Sequence, residues 1–482
     1  MNWLVSLAFF IINFVMLPLS VYLLLTLFLH FSKKKIVFVY VVSMALSFPL
    51  LSFILYYVLI LFPKQSDIFY VFLVLLILFC PFVLLLRDKQ ILYDLLIEIW
   101  TFIRKFKKIE LVVASLIVLT NFIFICLFLV VPLNANDPLL YFEMARYIYE
   151  TKDILIYPFQ ETYLTGYYGP SWHPPSFHCL LVWSFMFQGG TSSVLFGKIF
   201  TAYFSWVSCL LLFVSLYPKG GIVALMSALL LLFTPLYFSH VTISHIDAYR
   251  ICCYLAASCW LIYFIENPAK RNAIMLGVLV GFAMRAHTFG LLALPFICIG
   301  VLLLCKVKFK FRIESALLVI LVSFLICGFD YGRVMLLSNS LIPGTEEAFG
   351  VYSLKHLEYQ AFLEASRGIH SFQDIIWNGL LKGFSRIDLY GLSYWFMIGG
   401  VGVAISRKLK DSVTMVFGLQ IVLYYMLVIL TIAFDKSLLI KNSRYYLLIH
   451  PFVVYFSSLC ICTCLEYFKS QGLLKVDLPI DE

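Results

Sequence analysis

Charge is the scarcest property of this chain. Asp, Glu, Lys and Arg together occupy 13% of 482 positions, while hydrophobic residues occupy 63%. A soluble globular protein carries roughly 25% charged residues, so that class is excluded. Polar alternation is also missing: the apolar runs are continuous, which excludes a transmembrane barrel and leaves membrane-spanning helices. The thirteen cysteines lie in or beside apolar runs, and neither long polar segment holds a pair. A disulfide framework is excluded on that ground. There is no Cys/His spacing of a metal site either, so no cofactor is expected; a divalent metal is allowed by the sequence but not indicated by it. The thiols are read as small hydrophobes. The net charge of +9 never gathers on one soluble face, which excludes nucleic acid as a partner.

What is present is an all-α polytopic membrane protein of about thirteen spans. They are expected near 4–30, 36–62, 68–86, 111–132, 191–217, 221–240, 246–265, 272–286, 289–305, 313–330, 387–406, 412–433 and 445–467. No basic residue precedes the first run, which is also too long for a cleavable signal peptide. Placing Lys33, Lys34 and Lys35 inside puts twenty-one of the thirty-five Lys and Arg on the cytoplasmic side, mostly in short loops. The positive-inside rule then sets the amino terminus outside and the carboxyl terminus inside, as in a bacterial plasma membrane. Two long outer segments result, 133–190 and 331–386. Between 90 and 108 a charged stripe (Asp94, Glu98, Lys105, Lys108) opposes an apolar one (Leu92, Leu95, Leu96, Ile99, Ile103). That pattern predicts an interfacial helix on the cytoplasmic leaflet.

The chemistry-bearing residues concentrate after the fourth span. Asn136 or Asp137 can cap a helix that opens at Pro138, and Leu140, Met144, Tyr147 and Ile148 give that helix an apolar stripe. Glu143, Arg146 and Glu150 lie opposite at ion-pairing spacing, so the helix should lie flat on the outer surface. Asp137 is then either a plain cap or a carboxylate held where water and a lipid-borne substrate both reach it. Glu143 is either a solvated charge or a substrate contact. Tyr168, Trp172 and His173 line the following stretch, where aromatic rings serve equally for sugar stacking and for the interfacial belt of any membrane protein.

Other charges stand where charge is expensive. Lys198, Asp247 and Arg250 fall near outer span ends, Arg285 and His287 interrupt an apolar hairpin, and Arg444 precedes the last span. Each such ion costs about 2–3 kcal/mol on insertion scales, so several at one depth suggest a shared polar cavity. Cations outnumber acids there, which suits an anionic ligand such as a phosphate.

The layout resembles a family. Asn136-Asp137 after a span, Trp172-His173-Pro174-Pro175 opening a helix, Gly189-Gly190 before Phe196-Gly197-Lys198, Gly277 to Gly281 before Met284-Arg285, and Ser443-Arg444-Tyr445-Tyr446 before His450-Pro451 follow one another in order. Together they resemble the GT-C fold glycosyltransferases, in the branch of the protein O-mannosyltransferases and the lipid A aminoarabinose transferase. The likeness covers residues 111–467, leaving 1–110 as three additional spans with the interfacial helix and 468–482 as a cytoplasmic tail. Two departures stand out. The family's paired acids are here Asn136-Asp137, one carboxylate, which weakens a bridging metal, and the large soluble domain of some branches is not seen.

The resemblance implies an inverting transferase that moves one sugar from a polyprenyl-phosphate donor to a hydroxyl of a lipid, glycan or protein on the outer face. Asp137 would accept the hydroxyl proton, and arginines at cavity depth, Arg285 or Arg444, would hold the donor phosphate. Two other readings compete: a flippase or secondary transporter for a lipid-linked anionic glycan, and a polysaccharide polymerase. A transporter would show internal repeats with broken helices, and none is visible. Convergence of Asp137, Arg285 and Arg444 on one outward-opening cavity would favour an enzyme.

Overall fold

The computed structural model describes residues 3–29, 35–83, 89–133, 136–155, 174–338, 375–433 and 443–471. Among these every regular element is a helix. In chain order the principal ones are α1 (Trp3–Phe28), α2 (Ile36–Leu61), α3 (Asp67–Phe79), α4 (Gln90–Arg104), α5 (Lys108–Val130), α6 (Asn136–Thr151), α7 (Ser176–Gln188), α8 (Leu195–Leu216) and α9 (Gly221–Leu232). There follow α10 (Pro235–Thr242), α11 (Asp247–Glu266), α12 (Lys270–Ala286), α13 (Ala293–Leu304), α14 (Phe309–Ser338), α15 (Ser393–Ser406), α16 (Ser412–Ala433) and α17 (His450–Ser470).

Each of the thirteen expected spans holds helix among its described residues, but length divides them. Among the described residues eight helices are long and apolar enough to cross a membrane: α1, α2, α5, α8, α11, α14, α16 and α17. A ninth crossing is reached if α9 and α10 count as one span bent by 63°. The bend has a local cause, because Pro235 starts α10 and forces Thr234 into extended backbone. The helices at 68–86, 272–286, 289–305 and 387–406 run only 13, 17, 12 and 14 residues as α3, α12, α13 and α15. At 1.5 Å per residue none reaches the roughly 30 Å of a bilayer core, so thirteen full crossings are not established.

Helix α11 is the buried axis, flanked by α8 and α12, with α9 behind α8. Close approach of α12 and α14 depends on Gly277 and Gly281, where an added Cβ would stand 2.7 Å from Val322 Cβ and 2.8 Å from Ile326 Cβ. That is the small-xxx-small packing expected between membrane helices. The first helices also belong to this body. Trp183 Nε1 of α7 donates to Asn13 Oδ1 of α1 (2.9 Å), Ser52 of α2 donates to the Ser176 carbonyl (2.7 Å), and Phe9 stacks on Phe196 at 4.1 Å.

Ion pairs mark the two membrane surfaces. On one side Lys35 meets Glu266 (3.2 Å), Lys219 meets Asp411 (2.9 Å), Lys270 meets Glu314 (3.2 Å) and Arg407 meets Glu466 (2.7 Å). The other side carries Asp67 with Lys152 (2.6 Å) and, at the end of α5, the start of α6. Helix α5 leaves the first surface, where Phe102 of α4 packs on Tyr217 beside Lys219, and is long enough to cross, so its end and Asp137 stand on the second surface, away from the basic loops. On the first surface α4 forms with Leu95 buried and Leu96 and Trp100 exposed, the open apolar surface that an interfacial helix requires.

A candidate active site at the membrane surface

Helix α6 starts at Asn136 with Pro138 in its first turn, and it buries Tyr141, Phe142, Met144, Ala145 and Ile148. The buried stripe is rotated from the expected one, because the aromatic rings outweigh Leu140 and Tyr147. Phe142 fills the notch left by Gly197, where a Cβ would stand 2.7 Å from its ring. On the open side Arg146 pairs with Glu150 at 2.8 Å and lies 4.0 Å from Glu143. Glu143 is thus a surface charge six residues beyond Asp137 and on a different side of the helix.

The Asp137 carboxylate is not confined to its own helix. Its Oδ2 accepts from His245 Nε2 (3.1 Å) and from Arg444 Nη1, and these residues lie 108 and 307 positions along the chain. Burial alone would push this carboxyl up. The His245 hydrogen bond and the Arg444 charge outweigh burial and hold it well below the usual carboxylate range. The side chain remains 35% exposed, so it is ionised and open to solvent.

His245 occupies the turn between α10 and α11. Ser244, before it, has φ +62°, a left-handed conformation that costs a non-glycine residue about 1 kcal/mol. The turn aims His245 at two carboxylates: Nε2 at Asp137, and Nδ1 at Asp247 Oδ2 (3.2 Å). Burial lowers the basicity of this imidazole, but the Asp247 charge and the Asp137 bond raise it further, and the balance is upward. Asp247, wholly buried at the start of α11, also meets His240 Nδ1 (2.6 Å) and Arg250 Nη2 (2.6 Å). Arg250 Nη2 donates in turn to the Arg444 carbonyl (3.1 Å). The guanidinium groups of Arg250 and Arg444 both lie over the Tyr445 ring, at 5.6 and 5.4 Å, and Phe289 stacks on that ring at 3.8 Å.

The structure therefore unites Asp137, Asp247, Arg250 and Arg444, and adds two residues that sequence reasoning did not name, His240 and His245. Their signal was present as a histidine two residues before an aspartate at a helix start, with another histidine five residues earlier. Arg285 does not join them. Its Nε donates to Asp330 Oδ2 (2.5 Å) in a buried pair between α12 and α14, with Phe53 and Tyr56 rings 5.1 Å away. Lys198 serves Asp137 indirectly: Nζ donates to the Val131 carbonyl (2.5 Å) at the end of α5, steadying the entry to α6. His287 Nδ1 accepts from the Phe289 amide (3.0 Å), shaping the turn that delivers Phe289 to Tyr445. Tyr168, Trp172 and His173 lie outside the described residues.

The sequence did not indicate a metal, yet His240, His245 and Asp247 each present one ligand atom, all within 4.8 Å of one another. Two imidazoles and a carboxylate suit zinc or another first-row divalent ion. The same three side chains also satisfy one another by hydrogen bonds, with Arg250 balancing Asp247.

No family model and no curated protein matches the sequence. Solved structures resemble its fold. An oligosaccharyltransferase of Archaeoglobus fulgidus, AglB, in complex with an inhibitory peptide and a dolichol-phosphate, superposes with a TM-score of 0.50 at 12% identity, over 77% of this chain and 52% of its own. A second structure of an oligosaccharyltransferase from that organism, with zinc and sulfate, gives a TM-score of 0.49 at 15% identity, over 74% and 50%. The chain spans about half the length of these proteins. At 12% identity the likeness to the first of these holds at the level of the fold. This polytopic membrane chain has the GT-C fold of membrane glycosyltransferases.

Proposed function

We propose that this protein is a glycosyltransferase that moves a single sugar, with inversion, from a polyprenyl-phosphate donor to an acceptor hydroxyl. The reaction takes place on the membrane surface that holds Asp137, the outer face by the distribution of basic residues. One observation carries the reading: in a GT-C fold, an ionised and solvent-reachable carboxylate on a surface helix meets an imidazole and a guanidinium brought from two distant parts of the chain.

Asp137 accepts the acceptor's proton as its oxygen attacks the anomeric carbon from the face opposite the phosphate. One displacement by one base inverts that carbon. Arg444 stands between base and leaving group. A donor phosphate carries more charge than a carboxylate and competes for the guanidinium. Withdrawal of Arg444 toward the phosphate lets the Asp137 carboxyl rise toward its ordinary value, where it is a better base. Arg250 keeps Asp247 ionised, and Asp247 orients His245. If a divalent ion is held by His240, His245 and Asp247, it supplies additional positive charge for the departing phosphate.

A second reading follows from the structural neighbours, whose named ligands are a peptide and a dolichol-phosphate. In it, the same site moves a preassembled glycan to a peptide. Purified protein incubated with radiolabelled polyprenyl-phosphate monosaccharides or lipid-linked oligosaccharides, and with hydroxylated lipid, glycan and peptide acceptors, separates the two. Monosaccharide transfer with an inverted anomer supports the first reading, oligosaccharide transfer alone the second. No transfer from any donor refutes both.

A further inference from the structure

Helix α6 carries Asp137 at one end and is pinned at the other. Tyr149 in its last turn and Lys152 just after it both meet Asp67, the first residue of α3. The Tyr149 hydroxyl donates to Asp67 Oδ2 (2.7 Å), and Lys152 Nζ pairs with Oδ1 (2.6 Å). The same ammonium lies 3.3 Å from the centre of the Tyr149 ring. One carboxylate of the additional amino-terminal helices thus holds two side chains at the far end of α6.

The backbones meet there as well. Lys64 and Lys152 have φ +60° and +52°, the left-handed region where residues with a side chain are scarce, and the Lys64 amide donates to the Lys152 carbonyl (3.3 Å). Two such residues in contact persist only where their surroundings hold them. The loop before Asp67 is braced for this. The buried Tyr70 hydroxyl donates to the Phe62 carbonyl (2.6 Å) and accepts from the Gln65 amide (3.0 Å), and Ser66 Oγ caps α3 by accepting from the Phe69 amide (3.2 Å).

The effect on Asp137 follows from the geometry of a rod. Phe142, seated in the notch at Gly197, is a pivot five residues from Asp137 and seven from Tyr149. Along a helix these are about 7.5 and 10.5 Å, so a swing of about 1 Å at the far end displaces Asp137 by about 0.7 Å. The near end is held by the bonds from Asp137 to His245 and Arg444, and the proposed reaction gives up the second of these to the donor phosphate. The anchor at Asp67 survives that step.

We propose that Asp67 is a positioning residue of the candidate active site: through it the additional amino-terminal helices clamp the far end of α6 and keep Asp137 in place while Arg444 is withdrawn. This role rests on the glycosyl-transfer reading. A reacting group misplaced by about 1 Å can lose about a hundredfold in rate, so release of the clamp should slow turnover about tenfold. Donor affinity, which comes from the other end of the helix, should not change.

Two substitutions in the full-length protein test this, using the radiolabelled donor that the parent accepts. Asp67→Asn keeps an acceptor for Tyr149 and removes the ion pair. Lys152→Gly removes the ion pair too, but it suits the left-handed backbone, so its melting temperature should stay within about 2 °C of the parent's. Single-turnover transfer should fall about tenfold in both variants, with equilibrium donor binding unchanged. Should Lys152→Gly fail to fold, Asp67→Asn decides alone. Transfer at the parent rate by Asp67→Asn, or by a folded Lys152→Gly, would overturn the clamp, as would donor affinity falling together with turnover. No transfer by the parent from any donor would instead refute the glycosyl-transfer reading, and this role with it.

Discussion

Asp137→Asn separates a structural carboxylate from a catalytic one, and the structure sets the size of each effect. The Asn side chain keeps an acceptor oxygen for His245 and Arg444 and remains a good residue for a helix start. What it loses is charge. Two charge-assisted bonds become ordinary ones, a loss of about 1 kcal/mol each. With the side chain 35% exposed, solvent screening reduces the total to about 1 kcal/mol. Thermal unfolding in detergent should therefore shift by only about 2 °C. Donor binding should hold or tighten, because Arg444 is no longer tied to a carboxylate. Turnover behaves differently: without a base it falls by about a hundredfold or more. The assay pairs single-turnover sugar transfer with equilibrium binding of the labelled donor. Asp137→Ala is a poorer probe, since it leaves His245 and Arg444 facing an empty position as well. Transfer at the parent rate by a folded Asn variant would refute the role given to Asp137, and His245 would then be the base to test.

Arg285→Gln should destabilise the protein by about 3–5 kcal/mol, because Asp330 would be left as an unpaired buried charge, while donor affinity of the folded fraction stays unchanged. Loss of donor binding by a folded Arg285→Gln protein would return this arginine to the phosphate site. His245 has a raised pKa in the fold, so its stabilising contribution is full below its unfolded value of 6.5 and is lost as pH rises through the higher folded value. The melting temperature should accordingly decline as pH is taken above neutral, and His245→Gln should flatten that decline; a rise would show the sign to be wrong. Calorimetric titration with zinc or manganese is expected to saturate at one ion per chain, and His240→Ala to weaken it at least about tenfold. No heat of binding would leave the cluster as a hydrogen-bonded unit.

Much of the architecture was legible because membrane helices announce themselves by length and apolarity. The interfacial helix α4 was legible for a related reason, since its charged and apolar stripes keep a helical period. What length could not convey is how far each run stays straight. Pro235 breaks one span into two, and the short α12, α13 and α15 reach only partway, because caps and turns, which depend on a few residues each, end them early.

The site divides along a similar line. Asp137 could be named from its place after a span, and Arg444 from its place before one, since both statements concern depth in the membrane. Which charges meet is a matter of lateral position around the bundle, and hydropathy carries no information about that. Arg285 and Arg444 looked alike in sequence: each is a cation beside an apolar helix at the same surface. The fold gives Arg285 to Asp330 across α12 and α14, where Gly277 and Gly281 let the two helices close tightly, and it gives Arg444 to Asp137. His240 and His245 were passed over because a neutral histidine adds little to a charge pattern. They matter only once the turn at Ser244 points both rings at Asp247. The residues missed are thus those whose importance comes from direction and not from depth, and direction is decided by packing between elements far apart in the chain.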